Sequence, residues 1–217
     1  REMLAITLLV QMFGALASTY LYLTSALHPK TFDAPAFRLD ATLGFQPSEI
    51  LALIADRWPV FQNLLAVSYN AILVAFVALL ALEATAGKRF PGSMLRIYVA
   101  CGAAAFALYH LCPISGPRFL LEGYFPHAVP PPEAISLDST LVRPTARNGM
   151  PSMHFASSLL LWMNAGYVGR WARAGFALLV GLTVLATLGL GEHYLVDLAA
   201  GVPAAVALQA LCTRVLP

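Results

Sequence analysis

The chain has 217 residues, 59% of them hydrophobic and 11% charged, with a mean hydropathy of +0.72. Soluble domains carry roughly a quarter charged residues, so the composition excludes an ordinary soluble domain and points to a polytopic membrane protein. A formal charge of +2, with no basic run and no alternation of basic and aromatic residues, gives no support to nucleic acid as a partner.

A bilayer core takes about 20 helical residues. Six stretches qualify, some only with their flanks: 3–27, 61–82, 94–112, 153–168, 174–190 and 194–211. The fourth is short and could reach residue 171. The expected fold is therefore an all-α integral membrane protein, with six transmembrane helices in one bundle and residues 1–217 forming a single catalytic domain. The chain begins at Arg1, so residues before it are expected. Ala15-Leu16-Ala17 imitates a signal-peptidase site, but the apolar pattern runs on through Leu27, which predicts an uncleaved span.

Between the first two spans, residues 48–58 follow Pro47 and start like a helix. Ile50, Leu51, Ile54 and Trp58 share one stripe, the pattern of a short helix lying in the membrane interface, where it could flank a lipid access path. A plain packing helix between spans is the alternative. Cys101 and Cys112 lie on one expected helix with about 16 Å of rise between them, too far for a disulfide. No Cys/His spacing matches a structural zinc site.

Orientation follows from the loop cations. With the N-terminus inside, Arg1, Lys88, Arg89, Arg96, Arg170, Arg173 and Arg214 face the cytoplasm. Lys30, Arg38, Arg57, Arg118, Arg143 and Arg147 face out, among most of the acids. The short loops carry the bias, which predicts both termini inside. Helix parity then brings residues 113–118, 147–154 and 191–197 to one membrane face, the outer one, in a plasma or inner membrane.

These three stretches hold the chemistry. His193 and Asp197 are four apart at the start of the last span, the spacing at which a carboxylate orients an imidazole and raises its basicity. Ionisable residues at a membrane helix mouth are expensive and mark a functional site. Pro151-Ser152 opens the fourth span as a helix-capping pair, and a helix start offers free N–H groups and a positive dipole end to an anion. His154 projects from the same turn. Arg118, in a Gly/Pro-bounded turn, can present a planar fork to phosphate oxygens. A nucleophile with its orienter, a second imidazole, an anion-binding helix start and guanidinium groups together fit phosphoryl transfer through a phosphohistidine. If both imidazoles act on one phosphorus, their reactive nitrogens belong about 5–7 Å apart.

These residues resemble the type 2 phosphatidic acid phosphatase superfamily, whose general pattern is K-x6-R-P, then P-S-G-H, then S-R-x5-H-x3-D. Pro151-Ser152-Met153-His154 matches the second motif with Met153 in place of glycine, and His193-x3-Asp197 matches the end of the third. Thr187 stands at the third motif's Arg, Leu111 at the first motif's Lys, and Arg118 follows a proline instead of preceding one. The His193-Tyr194-Leu195-Val196-Asp197 run is similar to the H-Y-x-x-D motif of inositol-phosphorylceramide and sphingomyelin synthases. The resemblance implies that His193 attacks phosphorus, Asp197 orients it, and His154 protonates the leaving alkoxide and then deprotonates the acceptor. It also implies that Arg118, Ser152 and the N–H groups near Met153 hold the phosphoryl oxygens. Arg147, or less directly Arg143, is the candidate for the guanidinium missing at position 187. No cofactor or metal is implied. The expected partners are the bilayer, a lipid phosphate or phospholipid substrate and, for transfer rather than hydrolysis, a lipid alcohol acceptor.

A non-catalytic lipid-phosphate binder or transporter is the rival reading; it would need the arginines but not the His193/Asp197 pair. A rhomboid-like serine protease is disfavoured, because Pro113-Ile114-Ser115-Gly116 fails its Gly-x-Ser-Gly pattern and lies at a span end. Among other polar residues, Tyr109 and His110 are expected as interfacial structure, and Tyr69 and Asn70 as bonds between helices. Trp58, Trp162 and Trp171 are expected as interface anchors, and His127 as a loop residue with no evident partner.

Overall fold

The computed structural model of the protein describes residues 2–85, 94–138 and 145–214. Among these the regular elements are helices: α1 (Glu2–Leu27), α2 (Asp33–Ala41), α3 (Pro47–Arg57), α4 (Pro59–Thr85), α5 (Met94–Leu111), α6 (Pro117–Leu120), α7 (Met153–Ala165), α8 (Arg170–Gly189) and α9 (Leu195–Arg214), with one 3-10 turn at Pro132–Ala134. Prolines stand at the first position of α3, α4 and α6, where their missing N–H leaves no helix bond unmade. Among the described residues, four helices are long and apolar enough to cross a membrane: α4, α5, α8 and the Leu195–Thr213 part of α9. Their outward surfaces carry exposed Val67, Val74, Leu178 and Val206, the side chains of a helix that meets lipid rather than water.

The expected fourth span takes a different form. α7 has 13 residues, about 20 Å of rise, against a hydrocarbon core of about 30 Å. It stops at Ala165, and residues 166–169 turn directly into α8. Four helices, α4, α5, α8 and α9, pack around it. Its buried face carries Ala156, Leu160 and Leu161, which join Leu79, Ile97, Cys101, Ala205, Leu208 and Cys212 in the main core. Ser157, Ser158 and Asn164 are buried with them, and Asn164 exchanges amide hydrogen bonds with Gln209 of α9 (2.8 and 3.4 Å). Such a helix is specified by its protein neighbours, which explains why its hydropathic stretch is short.

α3 packs against α8 through small residues, Ser48, Ala52 and Ala55, while Ile50, Ile54 and Trp58 stay exposed. The expected stripe is thus outward-facing, except for half-buried Leu51. At the end of the bundle formed by the start of α8, Arg170 lies over Trp171 and Arg173 over Trp162, each 5.1 Å from the ring. The other end of α8 leads into residues 191–197. Arg1, Lys88, Arg89 and Arg143, used for orientation or as site candidates, lie outside the described residues.

Three polar residues have other partners than their sequence suggests. His127 pairs with Asp56 at the end of α3 (3.2 Å), a contact across 71 positions that no local pattern announces. Asn70 donates to the Ala66 carbonyl of its own helix at 2.8 Å, the local bond open to a short amide side chain. His110 bonds Tyr20 and, at 2.7 Å, His28, joining the ends of α1 and α5.

Candidate active site

The three expected stretches meet through their backbones. Arg118 donates its N–H to the Gly191 carbonyl (3.1 Å), Gly149 to Ile114 (2.7 Å) and Ser152 to Asp197 (3.0 Å). Glycine is required at two of the junctions. Gly116 has φ +121°, and a Cβ there would run into the Glu192 carbonyl; a Cβ on Gly149 would run into the Ile114 side chain. The loops therefore touch main chain to main chain, which places all the motif residues at one end of the bundle.

His193 is buried in this junction. Its N–H and that of Glu192 both donate to the Thr187 carbonyl at 3.1 Å, so the end of α8 fixes the loop. Thr187 itself bonds back to Thr183 and Val184 of its own helix and supplies no charge. Asp197, the third residue of α9, reaches back to accept the Tyr194 N–H (2.9 Å), half of a capping box. The same oxygen lies 3.5 Å from His193 Nδ1, longer than a formed hydrogen bond. His193 Nδ1 and Asp197 Oδ1 are both buried without a hydrogen-bond partner among the described residues. Catalytic hydrogen bonds commonly tighten only when substrate is bound.

Across from His193 stands His154, with ring centroids 6.3 Å apart and planes at 58°. Tyr69 of α4 stacks on the other side of His154, 4.1 Å between centroids and 19° between planes. Ser152 caps α7, accepting the Phe155 N–H at 3.4 Å, with buried Met153 as the first helical residue. His154, Met153, Tyr69, Tyr109 and Asn148 also line a cavity of about 510 Å³ that continues between α1, α4 and α5 past Ser18, Cys101 and Phe76. His154 thus joins the imidazole pair to a largely apolar space between the helices.

Arg118 pairs with Glu192 at 2.7 Å, the two side chains being 47% and 20% exposed. Burial raises the Glu192 carboxyl above its usual range, opposed by Arg118 and by His193. Arg147 is fully buried. Its guanidinium donates to the His28 carbonyl (3.1 Å), to Ser115 Oγ (3.0 Å) and to the carbonyl and hydroxyl of Thr145 (3.0 and 2.6 Å). The structure therefore brings His193, Asp197, His154, Ser152, Met153 and Arg118 together, and sets Arg147 into the neighbouring loop framework.

A family model of the PAP2 superfamily matches residues 35–211. The chain belongs to the PAP2 superfamily. No curated protein and no solved structure gives a match. Membership places this PAP2-superfamily chain among membrane proteins with phosphatase or phosphotransferase chemistry, and the matched range contains Arg118, Arg147, Ser152, Met153, His154, His193 and Asp197.

Sequence reasoning missed four residues of this PAP2-superfamily site: Tyr69, Glu192, Asp33 and Asp40. Tyr69 is a polar residue in an apolar span and was readable only as a bond between helices. Glu192 adjoins the nucleophile candidate and counted only as one more outer acid. Asp33 and Asp40 lie on α2, a stretch with no apolar periodicity.

Burial pushes the Asp33 carboxyl up from 3.8 to about 6, against the pull of its hydrogen bonds from Gly116 and Ser115. A carboxyl raised on folding holds its proton longer in the native state, so its contribution to stability is full below about pH 4 and is lost as pH rises through about 6. The interval corresponds to on the order of 3 kcal/mol. Thermal unfolding in detergent between pH 3.5 and 7 is expected to show a steeper loss of stability with rising pH in the wild type than in Asp33→Asn; equal slopes would remove Asp33 from the titration.

Proposed function

We propose that this chain is a lipid phosphatase or phospholipid head-group phosphotransferase that works through a phosphohistidine on His193. The observation that carries the reading is the pair of imidazoles facing each other at 6.3 Å beside a paired arginine and a helix start. That spacing leaves room for one tetrahedral phosphorus, with an attacking nitrogen on one side and a proton donor on the other.

The steps balance as follows. His193 Nε2 attacks phosphorus while its Nδ1–H turns to Asp197. The bond from phosphorus to the leaving oxygen breaks, and His154 gives that oxygen its proton. Neutral His154 then takes a proton from water or a lipid alcohol, whose oxygen attacks phosphorus and releases His193. Arg118, the Ser152 hydroxyl and the N–H groups near Met153 at the start of α7 hold the phosphoryl oxygens as charge builds, and Arg147 adds positive potential from its buried position. The chemistry asks for no metal ion. Substrate phosphate replaces Glu192 on Arg118, an exchange of small cost for a half-exposed pair.

The 510 Å³ cavity behind His154 suits the lipid chain. The H-Y-x-x-D run favours head-group transfer of the inositol-phosphorylceramide or sphingomyelin synthase kind. α1 is a further span and the short, enclosed α7 stands in the place of the expected fourth, α3 lies in the interface with Ile50, Ile54 and Trp58 in lipid, and the site faces away from the cytoplasm.

The deciding experiment incubates purified protein with radiolabelled phosphatidic acid, phosphatidylinositol and isoprenyl diphosphate, with and without ceramide. Free phosphate identifies hydrolysis and a new labelled lipid identifies transfer; binding without turnover of any of them identifies the non-catalytic binder. His154→Ala is expected to lower kcat by about a hundredfold to ten-thousandfold on an alkyl ester, the worth of a general acid. On a nitrophenyl ester, whose leaving group needs no proton, the loss in the first step should nearly vanish. An equal loss on both would move His154 out of the acid role.

A further inference from the structure

α2 buries two carboxylates for which its own nine residues offer no partner. Asp33 and Asp40 are two turns apart and share a face with Phe37; their relative exposures are 0% and 3%. A buried carboxylate is tolerated when donors surround it, and these donors come from distant parts of the chain. Asp33 Oδ1 accepts the Gly116 N–H at 2.8 Å and the Tyr194 hydroxyl at 3.1 Å, while the Ser115 N–H lies 3.1 Å from both oxygens. Asp40 accepts the N–H groups of Leu195 at 2.6 Å and Val196 at 3.0 Å.

The pattern is specific. Asp33 ties the loop ending in Arg118 to the residue that follows His193. Asp40 satisfies the first two orphan donors of α9 and complements the positive end of its dipole, in the turn that carries Asp197. The contact is reinforced by a small apolar cluster in which Ala34, Ala36 and Phe37 pack with Ile114, Leu121 and Tyr194. Hydrogen bonds to charged acceptors are short and strong, so α2 behaves as a rigid bracket across two of the three loops.

We propose that α2 is the positioning element of the reaction: Asp33 sets the separation of Arg118 from His193, and Asp40 sets the approach of Asp197 to His193. The inference rests on His193 being the nucleophile. Both carboxylates act through other residues, since their hydrogen bonds go to backbone N–H groups and to Tyr194.

The test is base-quenched single-turnover labelling of the full-length protein with radiophosphorus-labelled phosphatidic acid in detergent micelles, reading the rate constant and the amplitude of phosphohistidine separately. Loss of folded protein lowers the amplitude, whereas misplacement lowers the rate constant of the molecules that react. Asp33→Asn and Asp40→Asn are expected to lower the rate constant by about a hundredfold, the effect of moving reacting groups by about an ångström. Tyr194→Phe removes only the hydroxyl that Asp33 holds and is expected to lower it by about tenfold, the scale of one hydrogen bond. Should Asp33→Asn fail to fold, Tyr194→Phe decides for Asp33. Wild-type rate constants in Tyr194→Phe and Asp40→Asn, whatever the amplitudes, overturn the proposal. A wild type that turns the lipid over without becoming labelled, or label persisting in His193→Ala, overturns the phosphohistidine reading itself, and the positioning role falls with it.

Discussion

His193→Ala is expected to abolish turnover, with kcat falling on the order of a millionfold, the scale at which loss of a covalent nucleophile is felt. Nothing else in the described junction can replace it. His154 stacks on Tyr69 and has no carboxylate behind it comparable to Asp197. Ser152 Oγ is engaged in capping α7. The variant should keep its affinity for a lipid phosphate, because Arg118 and the helix start are untouched, and it should form no base-stable labelled protein. Measured turnover within tenfold of wild type, in protein that still binds the lipid, would remove His193 as the nucleophile.

Asp197→Asn is the second large effect, a fall in kcat of about ten-thousandfold by analogy with orienting carboxylates elsewhere. Asp197 has two tasks, a helix cap and the charge beside His193, and a neutral amide can perform only the first. One oxygen accepts the Tyr194 N–H at 2.9 Å, and the same oxygen is the neighbour of His193 Nδ1 at 3.5 Å. An asparagine can keep an oxygen on the cap, but it brings no negative charge to the imidazole when that ring becomes cationic. Substrate affinity and melting temperature should change little. Retained kcat would reduce Asp197 to a helix cap.

The apolar spans were legible because lipid imposes a length and composition that few other environments demand. α4, α5, α8 and α9 lie within a few residues of their expected limits. The convergence of the three loops was legible for a different reason: alternating helices leave only two faces, and parity assigns each loop to one. What was hidden depends on contacts between distant residues. The carboxylates of α2 find their donors more than 80 and more than 150 positions away, so no window of sequence contains both halves of the bond. α7 ends early because its environment is protein rather than lipid. Arg147 read as a free guanidinium; its bonds to His28, Thr145 and Ser115 exist only after the loops have folded together.

The ion pair between Arg118 and Glu192 bears on how a cycle finishes. A guanidinium that regains its own counterion the moment a phosphoryl group departs holds inorganic anions loosely. On the proposed reading such a centre sheds its small product quickly and resists poisoning by dissolved phosphate or sulfate, because a free anion lacks the hydrocarbon part that adds to the hold of Arg118 on a lipid.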